Sequence, residues 1–132
     1  MDAVRRCFSG SWFIRAKNLL IMHIVHIIPT LSFGGAERTV VDIINHSSSD
    51  FRFSVIVFFP STAMAQQISR LGTEVICVPK KGQESWRLFS DLETTLKKLD
   101  PDVVHTHLFG ADLWGRVAGQ RLGIPIVTTE HN

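Results

Sequence analysis

HIIPTLSFGGAERTV, residues 26–40, leaves a solid apolar run, crosses the adjacent glycines Gly34 and Gly35, and enters a helical pattern with Glu37 in its first turn. A strand that ends on bare backbone at a helix start is the opening unit of a parallel α/β sheet. The chain on either side repeats this unit. Apolar runs of strand length lie at 23–28, 53–59, 74–78, 102–106 and 125–129, rich in Val and Ile and continuous rather than alternating. Such strands are expected to be buried on both faces, as in a parallel sheet. Between them, one apolar stripe at helical spacing recurs in each interval. The stripes are Ala36, Val40, Ile43, Ile44; Met64, Ile68, Leu71; Leu88, Leu92, Leu96, Leu99; and Trp114, Val117, Ala118, Leu122.

Helix ends are marked too. Arg70-Leu71-Gly72 and Arg121-Leu122-Gly123 place glycine where a left-handed residue ends a helix, and Asp100-Pro101 closes the third. The order is β-α-β-α-β-α-β-α-β, and right-handed crossovers make it a Rossmann-like parallel sheet of five strands with flanking helices. A length of 132 residues is one domain's worth, short for two lobes with a cleft between them.

Composition excludes some functions. The chain holds fourteen basic and twelve acidic residues. Residues 1–21 take Arg5, Arg6, Arg15 and Lys17 against Asp2, which leaves ten basic and eleven acidic from Met22 onward. A body near −1 argues against a dedicated nucleic-acid binder, which is expected to show a basic face on the domain itself. The run from Leu19 to Ile28 contains His23 and His26, and at ten residues it cannot span a bilayer. Cys7 and Cys77 make no metal spacing, and Cys77 inside an apolar run points to a reduced, cytosolic setting.

Ligands of such a sheet gather at the carboxyl ends of the strands. There the sequence places Pro29 to Glu37, Pro60-Ser61-Thr62, Pro79 to Trp86, His105-Thr106-His107, and Thr129-Glu130-His131-Asn132. Gly34 and Gly35 either let backbone N–H groups approach a phosphate or sugar hydroxyl at the helix start, or simply make a tight turn. GxGxxG and GxxxxGK[ST] are both absent, and strand two ends in Phe58-Phe59-Pro60 without an acid for a ribose. His105 and His107, two apart on a strand, share a face as metal ligands would. No third ligand with matching spacing is evident, so no metal is expected. His131 is better placed to touch a substrate, against the plain alternative of a chain-end residue without a role.

Three blocks, HIIPTLSFGGAER (26–38), DVVHTH (102–107) and GIPIVTTEHN (123–132), together resemble the N-terminal, acceptor-side domain of glycosyltransferase family 4 over residues 22–132. The resemblance implies a retaining enzyme of GT-B architecture that uses a nucleotide-sugar donor as co-substrate and no cofactor. It implies that Gly34 and Gly35 approach the donor's sugar-diphosphate, that His131 contacts the donor sugar near the reacting carbon, and that His107 lies on the acceptor side. The acceptor would be a glycan or a lipid-linked molecule, met in the cytoplasm or at the inner face of the membrane.

The departures from the family pattern carry their own expectations. The donor-binding domain, with its basic residues and paired glutamates, has no counterpart up to Asn132. A truncated or split product, with little or no transfer activity by itself, is therefore expected, and the second domain would act in cis or in trans. Residues 1–21 read as an upstream extension or a misassigned start. Alternatively they form a membrane-surface anchor, since Phe8, Trp12, Phe13 and Ile14 alternate with the basic residues. Lys80-Lys81-Gly82 with Trp86 to Phe89 is either a second membrane-facing element or a solvated loop before a helix. A non-catalytic Rossmann-like binding or assembly module that recruits a partner chain stands as the other reading of the whole.

Overall fold

The structure, a computed structural model, describes residues 21–60, 64–70, 72–80 and 85–131. The extension and anchor readings of residues 1–20, and the positions Ser61, Thr62, Leu71, Lys81, Gly82 and Asn132, lie outside the described residues. In chain order the elements are β1 (Met22–Ile28), α1 (Gly35–His46), β2 (Phe51–Val57), α2 (Ala65–Arg70), β3 (Glu74–Cys77), α3 (Ser85–Leu99), β4 (Val103–His107), α4 (Phe109–Leu122) and β5 (Ile126–Thr129). The five strands form one parallel sheet in the order β3-β2-β1-β4-β5. The Rossmann-like reading is thereby met.

The sheet is sandwiched because its central strands are apolar on both sides. On one face Val25, Ile27, Ile56 and Val104 pack against Leu88, Leu92 and Leu96 of α3 and Ala111 and Ala118 of α4. On the other, Ile28, Val55 and Val57 meet Val40, Val41 and Ile44 of α1 and Ile68 of α2. Each fully buried Val, Leu or Ile among these contributes about 1.5–3 kcal/mol relative to exposure. The glycine stops work as expected. Gly72 and Gly123 take positive φ (77° and 66°), and Gly123 N–H donates to Gln120 O while Ile124 N–H donates to Gly119 O. Asp100, at φ 46°, turns the chain into Pro101.

Four expectations need correction. β2 runs two residues earlier than the apolar run suggests, because Phe58 and Phe59 leave the ladder and donate their N–H groups to Pro29 O instead. Only the central strands are buried on both faces, since β3 and β5 lie at the sheet edges and are partly open. Cys77 is accordingly exposed on β3. The buried stripe of α4 is not centred on Val117, which is largely open, but on Ala111, Gly115, Ala118 and Gly119. Small residues let this helix lie almost on the strands: a Cβ at Gly115 would fall 2.5 Å from Thr106 Cγ2, and one at Gly119 would fall 2.9 Å from Ile126 Cγ1.

Candidate active site

β1 feeds a connection that runs toward β2, and β4 feeds one that runs the other way toward β5, so the order of strands reverses between β1 and β4. The crevice outside their carboxyl ends is where ligands of such sheets bind. The segment after β1 is tied down by the hydrogen bonds to Pro29 O and by Met64 N–H donating to Leu31 O. It delivers Gly34 as the N-cap of α1, with no side chain capping the helix. Gly34 thus offers the first N–H groups of α1 no side-chain cap.

The two glycines differ in kind. Gly34 has extended backbone, and a side chain there would run into the Glu37 carboxylate, which is folded back toward it. Glu37 is buried, and Ser32 Oγ donates to its Oε1 at 3.5 Å. Among the described residues, nothing lies within 4 Å of where a Cβ on Gly35 would be. It carries neither a positive φ nor a crowded neighbour, so the domain itself gives no reason for a glycine at this place. Glu37 is a site residue that sequence reasoning passed over, although its place in the first turn after the glycines was the available signal.

Behind the turn stands a column of imidazoles. His26 in β1 is the register partner of His105 in β4, and His107 lies two residues on along the same face. Ring centroids are 5.0 Å apart for His26 and His105, 5.2 Å for His26 and His107, and 4.1 Å for His105 and His107. His26 Nδ1 is 3.0 Å from His107 Nε2, and His107 Nδ1 is 3.4 Å from His131 Nε2. His105 Nε2 is 2.7 Å from Thr129 Oγ1. His26 and His107 are fully buried, whereas His105 and His131 are half-buried. His107 is the last residue of β4 rather than part of the loop beyond it.

Burial, reinforced by the neighbouring rings of His107 and His105, pushes His26 down to about 3. Burial together with His105 and His131 does the same to His107, also to about 3, and burial lowers His105. His26, His105 and His107 are therefore neutral at neutral pH, and each of these three rings carries one N–H. His26 Nε2 is buried without a partner among the described residues. An orphaned lone pair there is more tolerable than an orphaned N–H, so the protons are assigned as His26 Nδ1–H to His107 Nε2 and His107 Nδ1–H to His131 Nε2.

The opposite face of β4 carries a different network. Asp112 in the first turn of α4 accepts from Thr128 Oγ1 (2.7 Å), Thr106 Oγ1 (3.0 Å) and Arg116 Nη2 (2.8 Å to Oδ2). Burial raises its pKa, but the bonds from Thr128, Thr106 and Arg116 outweigh that and hold the carboxyl below its ordinary value. This network pins α4 to β4 and β5 and so fixes the position of His107. Between them, Leu108 sits at φ 69°, a region in which a bulky side chain is strained.

No helix among the described residues is long and apolar enough to cross a membrane. In the segment that reads as either a membrane-facing element or a solvated loop before a helix, Trp86 is 65% exposed and lies under the Arg87 guanidinium at 5.1 Å, while Leu88 is core.

The fold is that of GT-B glycosyltransferases of known structure. Anabaena Alr3699/HepE, solved with UDP-glucose, superposes with a TM-score of 0.64 at 18% identity, covering 81% of this chain and 28% of that one. The glycosyltransferase of kitacinnamycin gives 0.58 at 18% identity (83% and 30%), and the calicheamicin glycosyltransferase CalG4 gives 0.57 at 16% identity (83% and 32%). The chain thus spans about a third or less of these solved relatives. No curated protein matches the sequence. The profile of Glycosyltransferase Family 4 matches residues 33–132, from Phe33 in the glycine turn through His131, and the chain belongs to that family.

Proposed function

We propose that this chain is the acceptor-side domain of a retaining glycosyltransferase, which moves a sugar from a nucleotide-sugar to a glycan or lipid-linked acceptor. A donor-binding domain, in cis or in trans, completes the cleft. The observation that carries the reading is Gly35, a glycine that the domain does not itself require, open at the start of an uncapped helix on the ligand edge of the sheet. In the transferred sugar positive charge develops at the reacting carbon while the diphosphate departs with negative charge. Uncapped backbone N–H groups at α1 favour the latter. The buried Glu37 carboxylate beside Gly34 accepts hydrogen bonds, which suits the hydroxyl-bearing sugar on that flank better than a phosphate oxygen.

His131 is the residue that meets the donor sugar in this reading, with its Nε2 turned toward His107. His107, fully buried, serves the acceptor side from behind His131, by holding it, and does not itself touch the acceptor. Without a donor-binding domain the chain is expected to show little or no transfer. In an enzyme completed with that domain, His131→Ala lowers turnover far more than it lowers stability; equal losses of both would leave His131 a structural residue. A chain that stays monodisperse and supports no transfer even with a donor domain supplied would favour the assembly-module reading instead.

A further inference from the structure

His105 and His107 lack a third ligand in the linear sequence, but the fold supplies one. His26, from the neighbouring strand at the register position of His105, brings a third imidazole to the same face. One nitrogen from each of the three lies within 4.8 Å of the others. We propose that His26, His105 and His107 form a binding site for a divalent transition metal of the zinc type, beneath the ligand edge of the sheet and distinct from the donor and acceptor contacts.

The chemistry of the donor set fits such an ion. Imidazole suits Zn²⁺, Co²⁺, Ni²⁺ and Cu²⁺, whereas Mg²⁺ and Ca²⁺ require oxygen ligands that the cluster does not offer. Zn–N bonds of roughly 2.0–2.1 Å need ligand nitrogens on the order of 3.3 Å apart, so the rings have to draw together only modestly. Two ligands already have the outer partners that metal-binding histidines use. His105 Nε2 faces Thr129 Oγ1 and His107 Nδ1 faces His131 Nε2, which leaves Nδ1 of the first for the ion, and Nε2 of the second once it gives up its bond from His26 Nδ1–H. His26 Nε2 is a buried ring nitrogen without a partner, an unused capacity of the kind an ion relieves. Half-buried His105, beside the half-exposed Val127 of β5, leaves a way in.

Occupancy would act on the proposed active site through His107. A metal on Nε2 would hold His107 in the tautomer that donates its Nδ1–H to His131. The test is a Co²⁺ titration of the untagged chain, read by visible absorption. A saturable d–d band of tetrahedral intensity at one equivalent, displaced by Zn²⁺, is the expected result. His105→Gln should abolish the band or weaken binding at least tenfold while the metal-free unfolding curve stays close to the parent. His26→Asn should do the same, and if it fails to fold, His105→Gln decides alone. His46→Gln, on the exposed end of α1, should change nothing. No saturable band, a band that survives His105→Gln, or one that His46→Gln removes would overturn the site.

Discussion

Gly35 separates the demands of folding from those of ligand binding. Because a side chain there meets open space, Gly35→Ala should stabilise the domain slightly, by up to about 1 kcal/mol from helix propensity. Gly35→Val should leave the fold intact yet abolish transfer in an enzyme completed with its donor domain. Ordinary kinetics in that variant would remove the turn from the donor site. The histidines give a second test at the same scale. As pH falls below the unfolded-state value of 6.5, the unfolded chain takes up protons that His26 and His107 refuse until about 3. Their stabilising effect is therefore complete above pH 6.5 and is lost progressively toward pH 3, with a slope of up to about 1.4 kcal/mol per pH unit for each ring. In chelated buffer, urea midpoints measured between pH 7 and 4.5 should fall more steeply for the parent chain than for His26→Asn. Parallel declines would mean that the column does not govern acid sensitivity.

Among the elements, α4 depends most on small residues. It places His107 and the strained Leu108 by lying close on β4 and β5, with Gly115 against Thr106 and Gly119 against Ile126. Alanine at Gly115 would gain about 1 kcal/mol in helix propensity, but overpacking against a threonine already held by Asp112 costs about 1–3 kcal/mol. Gly115→Ala should therefore be a net loss, visible as a lower denaturant midpoint, and an increase would show that α4 can ride outward freely. The apolar pattern of α4 misplaced its buried stripe for the same reason. Pattern reading looks for large apolar residues, whereas close approach selects the absence of a side chain.

Across the molecule, the exposed apolar surface includes the two flanks of the candidate site. Phe33 in the glycine turn is 85% exposed and Phe109 at the start of α4 is 83% exposed, although most large apolar side chains of the sheet and helices are buried. A lobe that closes against a second domain needs such a face, and by itself it tends to self-associate. Sedimentation velocity on the chain should show association that weakens in the Phe33→Ser, Phe109→Ser double variant. Exposed substitutions of this sort change stability by only about 0.5 kcal/mol, so the unfolding curve should hardly move. A parent chain that is monodisperse at all concentrations would argue against a lobe-docking face.

The sequence alone determined the element order, the parallel sheet, the glycine helix stops and the place of the ligand edge. Each of these follows from local rules: strand-length apolar runs, helical stripes, and glycine where the backbone must turn left-handed. It also put Gly34, Gly35, His107 and His131 on one edge, because strand ends in a parallel sheet all point the same way. Only the tertiary structure decided which of them touch. The pairing of β1 with β4 brings His26 beside His105 and His107 across about eighty residues of chain, and no local pattern encodes that register. The burial that keeps those rings neutral, the fold-back of Glu37 onto Gly34, and the open space at Gly35 are likewise set by neighbours distant in sequence, since contact and desolvation belong to the packed chain rather than to any segment of it.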